Sequence, residues 1–215
     1  MKALVPFGPL IYQGDMSEEF LEFLLECVDK SRNGDDRRWA LAGHLDNERG
    51  AILDLDSFRS FIDIHIKRFL YLNHERRYDL NELHKPTSRT EEHKADLHIV
   101  ETIINQTLKY DLSNPWVNFQ KKGEFNPIHE HIGIISAIMF IDIPEDIDHE
   151  NDCDEHQIMS HGCLEFVYDN SKTMIITPKT GMIFLFPSEL KHCVYPFKSD
   201  VERITMSFNL HNLTL

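Results

Sequence analysis

Four residues in the C-terminal half of this chain have the types and the order of a metal site with an anion site beside it. His129 and His131 are two positions apart, His192 comes much later, and Arg203 follows in the next apolar segment. Neutral imidazole is the commonest protein ligand of transition metals. The fork of an arginine suits a carboxylate bidentately. The four residues therefore predict a metal ion with a carboxylate-bearing molecule next to it.

The spacing of the first two histidines is informative if residues 126–131 are extended. Successive side chains of a strand point to opposite faces, so His129 and His131 would share one face while Glu130 points away. Any one histidine would more often be a surface or core residue, and a lone arginine would more often be an edge-strand charge. The combination and its order, rather than any single residue, favour a metal site.

The elements around these residues have the pattern of β-structure. Short apolar, β-branched and aromatic runs alternate with turn signals, and a proline and a glycine mark a tight turn at residues 178–181. The runs cover residues 115–119, 132–143, 163–168, 174–176, 182–186, 193–197 and 203–210. Seven short, closely spaced strands predict an all-β sandwich or barrel.

The N-terminal end predicts an extended segment and then a helix. Residues 3–13 contain two prolines, which confine a strand there to an edge or a lead-in. Asp15 and Glu18 fit a capping box, the reciprocal side-chain pattern of helix starts. Apolar residues then recur at helical spacing over residues 20–28. We expect the helix to end at Asn33-Gly34.

The middle of the chain is less regular. An apolar stripe with spacings of three and four predicts a second helix over about residues 57–73. Residues 76–94 are polar enough for a loop or an exposed insertion, and residues 96–110 fit either a helix or a strand. The acidic segment 144–161 is too polar for the core. We expect a loop beside the site mouth that contacts substrate, with a second metal site as the alternative.

Composition limits the classes of protein to which this chain can belong. The chain has 215 residues, 41% of them hydrophobic, and a formal net charge of −14. That size predicts one domain over residues 1–215, with strand and supporting helices in 1–110 and the barrel core in 115–210. The charge disfavours nucleic-acid phosphates as partners. Without a signal-peptide pattern or an apolar run near 20 residues, we expect an intracellular, cytoplasmic protein with no membrane contact.

The C-terminal half resembles the 2-oxoglutarate/Fe(II)-dependent oxygenases common in bacterial and tailed-phage genomes, which are relatives of the prolyl hydroxylases. The resemblance covers residues 115–210 well and the opening of the chain more loosely. The matching positions are residues 126–131, 162–166, 178–181, 186–188, His192, Val194, Pro196 and 203–209.

This resemblance implies a double-stranded β-helix, a jelly-roll barrel of the cupin kind, with two helices on its outer face. Iron(II) would be held by His129 and His192. The distal carboxylate of 2-oxoglutarate would pair with Arg203, helped by the hydroxyl of Thr205 or Ser207. The implied reaction hydroxylates a C–H bond with dioxygen and releases succinate and carbon dioxide. A protein residue, proline first by analogy, or a small molecule would be the substrate.

One position departs from the family pattern, in which HxD or HxE supplies a carboxylate as third iron ligand. Here residue 131 is histidine. We rank a three-histidine centre of His129, His131 and His192 first. Three alternatives stay open: a water in place of His131, a shifted register with Gly133 at the carboxylate position as in related halogenases, and Glu130 as the ligand.

A second departure is Phe140, which lies near the place where related prolyl hydroxylases often have a tyrosine that contacts the co-substrate. We expect it to pack in the core. Two rival functions remain: a non-catalytic jelly-roll binding protein, and a cupin-type metalloprotein that does not use 2-oxoglutarate. Arg203 favours the oxygenase over both. Whether the N-terminal helices form a homodimer interface or only cover the barrel is open.

Overall fold

The elements of the chain follow its hydrophobic pattern closely from residue 109 onward. The computed structural model describes residues 2–4, 8–40, 43–82, 107–152, 160–169 and 172–214. Its strands are β1 (Lys2–Leu4), β2 (Ile11–Asp15), β3 (Glu48–Gly50), β4 (Lys109–Leu112), β5 (Trp116–Lys121), β6 (Asn126–His129), β7 (Ile135–Asp142), β8 (Leu164–Asp169), β9 (Lys172–Ile176), β10 (Met182–Pro187), β11 (Lys191–Val194) and β12 (Glu202–Thr214). Its α-helices are α1 (Glu18–Ser31), α2 (Leu55–Glu82) and α3 (Glu145–Asp152).

Two antiparallel sheets form the main unit. The larger sheet runs in the order β1-β2-β10-β7-β12-β5-β3, and the smaller in the order β6-β11-β8-β9. In the larger sheet Arg203 of β12 lies opposite Gln120 of β5. In the smaller sheet His192 of β11 lies opposite His129 of β6. The predicted mainly β architecture is confirmed, and its strand order brings the two distant site segments to fixed register positions.

The apolar core explains why the strands read as nearly continuous hydrophobic runs. Seven of the eight residues of β7 are buried, as expected for a strand covered on both faces. Aromatic side chains fill much of the interior, and Phe140 and Phe184 meet edge to face with ring centroids 5.8 Å apart. The prediction that Phe140 packs in the core is confirmed, since its side chain is fully buried.

Contacts divide the described residues into two units. The first contains Met1–Leu53 and Leu112–His211, and the second contains Asp54–Asp111 and Asn212–Leu215. In the second unit the hydroxyl of Tyr110 donates a hydrogen bond to Asp63 Oδ1 at 2.5 Å. The expectation of one domain over residues 1–215 stays a prediction. No helix among the described residues is both long enough and apolar enough to cross a membrane.

The predicted start of the first helix is wrong by two residues. Asp15 is the last residue of β2, where the chain is still extended and paired with Met182, so it cannot cap a helix. Ser17 is the N-cap, and its Oγ accepts a hydrogen bond from the Phe20 amide at 3.1 Å. The extended segment predicted over residues 3–13 is two strands, β1 and β2.

Two further predictions need correction. Helix α2 continues to Glu82, because the polar residues after 73 are good helix formers, so residues 76–82 are not loop. The acidic segment 144–161 contains α3, in which the Asn151 side chain donates to the carbonyls of Ile147 and His161, each at 3.0 Å. Residues 83–106 and 153–159 lie outside the described residues, so the rest of the predictions for those segments remains untested.

Candidate metal and co-substrate site

Three imidazoles meet at one end of the smaller sheet. His129 ends β6, His192 lies opposite it on β11, and His131 follows two residues after β6, where its amide donates to the Ser188 carbonyl at 3.0 Å. The ring centroids are 4.3 Å apart for His129 and His192, 4.9 Å for His129 and His131, and 5.0 Å for His131 and His192. One ligand nitrogen of each ring lies within 4.8 Å of the other two, a spacing that one metal ion can bridge.

Backbone carbonyls orient two of these rings. The Nδ1 of His129 lies 2.7 Å from the Pro127 carbonyl oxygen, and the Nδ1 of His192 lies 3.0 Å from the Leu190 carbonyl oxygen. A ring N–H that donates to a carbonyl fixes the tautomer and leaves the lone pair on Nε2. The Nε2 of His129 also lies 3.4 Å from the Asn126 amide nitrogen, a weak contact that metal binding would replace.

The three rings are held in the neutral form that binds metal. Burial, with a smaller contribution from the neighbouring imidazoles, lowers the pKa of His131 to about 4 and that of His192 to about 3. Burial also lowers the pKa of His129. At neutral pH each ring therefore keeps a free lone pair, which is the donor set that divalent transition metals require.

Strand β12 provides the anion-binding side of the same cavity. Arg203, Thr205 and Ser207 alternate along it, so their side chains share one face. All three line a cavity whose walls also include the three histidines.

The guanidinium of Arg203 is buried, and no carboxylate among the described residues pairs with it. Its Nη1 donates to Gln120 Oε1 at 3.0 Å, and its central carbon lies 5.2 Å from the centroid of the Phe140 ring. Its Nε and Nη2 have no hydrogen-bond partner among the described residues, although the side chain is only 1% exposed. Burial lowers its pKa to about 10, which still leaves it charged at neutral pH. A buried cation with two free donors in a cavity requires an anion for compensation.

Gln120 positions this arginine, and the sequence analysis did not identify it. Its Nε2 donates to the carbonyls of Glu124 at 2.6 Å and Tyr195 at 3.2 Å, which turns its Oε1 toward Arg203. The side chain is 1% exposed. The available signal was a polar side chain directly after Phe119 near the end of β5, and its partner became evident only from the strand register.

The other residues considered from the sequence do not join this metal-ligating group in the described part of the chain. The side chain of Glu130 is exposed, and Gly133 has a φ of +150°, a conformation that L side chains rarely adopt. Of the candidates for a second metal site, Cys153 and His156 lie outside the described residues. Among the described part of the chain, the three histidines form the one group with metal-ligating geometry.

Part of this chain matches the model of a known protein family. Residues 114–209 match the model of the family described as "Putative 2OG-Fe(II) oxygenase". No curated protein sequence matches the chain.

Solved structures of oxygenases are similar to the whole fold. A prolyl hydroxylase from Trichoplax adhaerens, solved with a peptide fragment of a hypoxia inducible factor oxygen degradation domain, has a TM-score of 0.50 at 13% identity over 94% of this chain and 83% of that chain. A Pseudomonas putida prolyl-4-hydroxylase has a TM-score of 0.48 at 13% identity over 94% and 92%. A 2OG-Fe(II) family oxidoreductase from Burkholderia pseudomallei has a TM-score of 0.39 at 11% identity over 54% and 50%, so this chain spans half of it.

The family match and the fold agree with the resemblance found in the sequence. The two facing sheets are a double-stranded β-helix, as predicted, and residues 114–209 match the model of the 2OG-Fe(II) oxygenase family. The predicted enzyme class is confirmed at this level, and iron(II) and 2-oxoglutarate are the cofactors of that class.

Proposed function

We propose that this protein is a dioxygenase in which His129, His131 and His192 hold iron(II) and Arg203 binds the distal carboxylate of 2-oxoglutarate. One observation supports this most: a buried arginine with two unpartnered donors lines the same cavity as three neutral imidazoles. A metal site alone would not need the arginine, and an inert barrel would need neither.

The three histidine nitrogens are a suitable set of ligands for iron(II). Three neutral nitrogen ligands from the chain would hold the metal ion and leave it able to bind a co-substrate. The position of the His131 ring beside the other two supports the three-histidine centre over a water in its place. The exposed side chain of Glu130 argues against that residue as the ligand.

The anion pocket fits a dicarboxylate. Arg203 offers Nε and Nη2, and the hydroxyls of Thr205 and Ser207 follow on the same strand face. Because the guanidinium is removed from water, a carboxylate there gains a charge-assisted bidentate contact without competition from solvent. Asn118 Oδ1, also buried without a partner among the described residues, borders this pocket and can accept from a protonated group or a water.

Bound iron and 2-oxoglutarate supply the oxidising chemistry: one oxygen atom of dioxygen enters succinate, the other enters a substrate C–H bond, and carbon dioxide leaves. The chain's own part is to position and to shield. The three imidazoles fix one metal ion, Arg203 fixes the far end of the co-substrate, and the apolar side chains of Ala137, Ile138 and Phe186 on the cavity wall exclude water.

The substrate of the proposed hydroxylation is a protein residue, with proline the first candidate by analogy, or a small molecule. The Trichoplax and Pseudomonas relatives are named as prolyl hydroxylases, which supports the former.

Formation of succinate tests this function. The purified chain is incubated with iron(II), 2-oxoglutarate and oxygen, and succinate is measured with and without iron. We expect iron-dependent succinate from the wild type, a loss with His192→Ala or Arg203→Ala, and no change with Glu22→Gln, an exposed position on α1. Metal binding without succinate would favour a cupin-type metalloprotein, and absence of both would favour a non-catalytic binding barrel.

A further inference from the structure

A second, larger cavity opens beside the histidines. Its volume is about 280 Å³, roughly nine times the ~30 Å³ that a water molecule occupies in the liquid. Trp116, Asn126, His129 and His131 line both this cavity and the one that contains Arg203. A molecule in the larger cavity would therefore lie against the proposed metal centre, with space for a compound of at least amino-acid size.

Three ionisable side chains besides the histidines line this cavity: Arg37, Glu48 and Glu130. Glu130 is exposed to solvent, whereas Glu48 is buried next to Arg37. Glu48 belongs to β3 and is 4% exposed, and the amide of Arg37 donates to the Glu48 carbonyl at 3.0 Å, which ties the two residues together. Their side chains form no direct ion pair with each other. Among the described residues, nothing donates a hydrogen bond to the Glu48 carboxyl, and the buried Nε of Arg37 has no acceptor.

Burial of these unpaired groups costs folding free energy unless a ligand group pairs with them. Burial raises the pKa of Glu48 to about 8, and the nearby Arg37 guanidinium only partly offsets this. A largely buried carboxyl that lacks a protein donor loses much of the free energy of its hydration, and native proteins rarely retain such a group without a use for it. A cationic ligand group beside Glu48 and an anionic one beside Arg37 would satisfy both.

The rest of the wall suits a small polar molecule. Apart from Trp116, the described residues that line the cavity carry polar or charged side chains, including Ser113 and Asn209. The Oδ1 of Asn126 is buried and has no partner among the described residues, so it is free to accept from a ligand N–H. A proline ring within a peptide would bring neither charge and would leave Glu48 and Arg37 unpaired.

We propose that this cavity binds the primary substrate and that the substrate is a free α-amino acid or a similarly small zwitterion, with its ammonium group on Glu48 and its carboxylate on Arg37. The assignment as substrate rests on the proposed oxygenase function, whereas binding itself does not. In the hydroxylation, one atom of dioxygen would enter a C–H bond of the amino acid to give C–OH, and the other would enter succinate as 2-oxoglutarate loses carbon dioxide.

Ligand-observed NMR tests the proposal without turnover. The full chain, without iron, is screened by saturation transfer against the free L-amino acids and against the N-acetyl amides of the same residues, which lack both charges. We expect at least one free amino acid to bind and its capped form to bind at least about tenfold more weakly, the order expected for charge-assisted hydrogen bonds. Glu48→Gln and Arg37→Gln should each weaken binding about tenfold, while Glu22→Gln should not.

Two results would overturn the proposal: capped residues that bind as well as free ones, or no free amino acid bound at all. The comparison of free and capped ligands uses the wild type, so it remains decisive even if a variant fails to fold. Succinate formation together with no amino-acid binding would leave the oxygenase function intact and remove this substrate class. Amino-acid binding without iron-dependent succinate formation would support the ligand class and remove the oxygenase function.

Discussion

Replacement of Arg203 by methionine should weaken 2-oxoglutarate binding strongly and change the free energy of unfolding little. In the wild type the guanidinium would form a buried, hydrogen-bonded charge pair with the distal carboxylate of 2-oxoglutarate. Truncation of one partner of such a pair costs about 2–5 kcal/mol. At about 1.4 kcal/mol for each factor of ten, the dissociation constant of 2-oxoglutarate should rise roughly 30-fold to several-thousand-fold. Metal affinity should not change, because Arg203 is not a proposed ligand.

The stability of the ligand-free protein should change little. Methionine removes one charged hydrogen bond to Gln120, worth about 1.5–3 kcal/mol, and a cation–π contact to Phe140, worth up to about 2 kcal/mol. It also removes the desolvation cost of a cation with two unpartnered nitrogens, which is several kcal/mol. These contributions oppose each other, so we expect a net change in the free energy of unfolding within about 2 kcal/mol.

Urea unfolding of the metal-free protein, followed by 2-oxoglutarate titration of the metal-loaded protein, measures both effects. Arg68→Met, at an exposed position on α2, is the matched control and should change neither. A loss of about 3–5 kcal/mol with unchanged 2-oxoglutarate affinity would refute the reasoning, because that is the behaviour of a structural arginine whose charge is already compensated.

Three other changes test separate parts of the site. Gln120→Leu frees one Arg203 nitrogen to reorient, so calorimetric titration should show 2-oxoglutarate binding about 3- to 10-fold more weakly with metal affinity unchanged; equal affinity would remove Gln120 from its positioning role. His131→Asp supplies the carboxylate of the HxD pattern and should keep iron bound, whereas His131→Leu should bind iron at least tenfold more weakly; full affinity in the leucine variant would exclude His131 as a ligand. Glu48 has a folded-state pKa of about 8 against 4.5 for the free side chain, so the protein should lose up to a few kcal/mol of stability as pH rises from about 4.5 to about 8. Glu48→Gln should flatten that part of the pH–stability profile measured by urea unfolding, and an unaltered slope would contradict the raised pKa.

Long, periodic segments were predictable from the sequence, and short or context-dependent ones were not. The strand around residues 135–142 and the helix α1 were evident because each buries a continuous or periodic apolar face. The three-residue strand β3 gave no periodic signal, yet it carries Glu48. The helix start at Ser17 was missed because Asp15 with Glu18 imitates a capping box, and only the pairing of Asp15 with Met182 excludes it.

Some residues of the site were likewise predictable from the sequence and others were not. The sequence alone could predict four site residues, because metal ligands and an arginine are unusual at such spacing: His129, His131, His192 and Arg203. The structure brings all four to one cavity. The role of Gln120 could not be predicted, because it depends on strand register: Gln120 lies opposite Arg203 only when β5 and β12 are paired. Whether a buried polar residue acts in a site depends on its neighbours across the sheet, which a single sequence does not contain.

The most direct test of the central claim is the visible metal-to-ligand charge-transfer band formed when iron(II) and 2-oxoglutarate are added to the purified protein without oxygen. The account predicts a band that requires both additions, that is lost in His192→Ala, and that needs far more 2-oxoglutarate in Arg203→Met. The same band in His192→Ala, or no band in wild-type protein that has bound iron, would contradict the proposed centre.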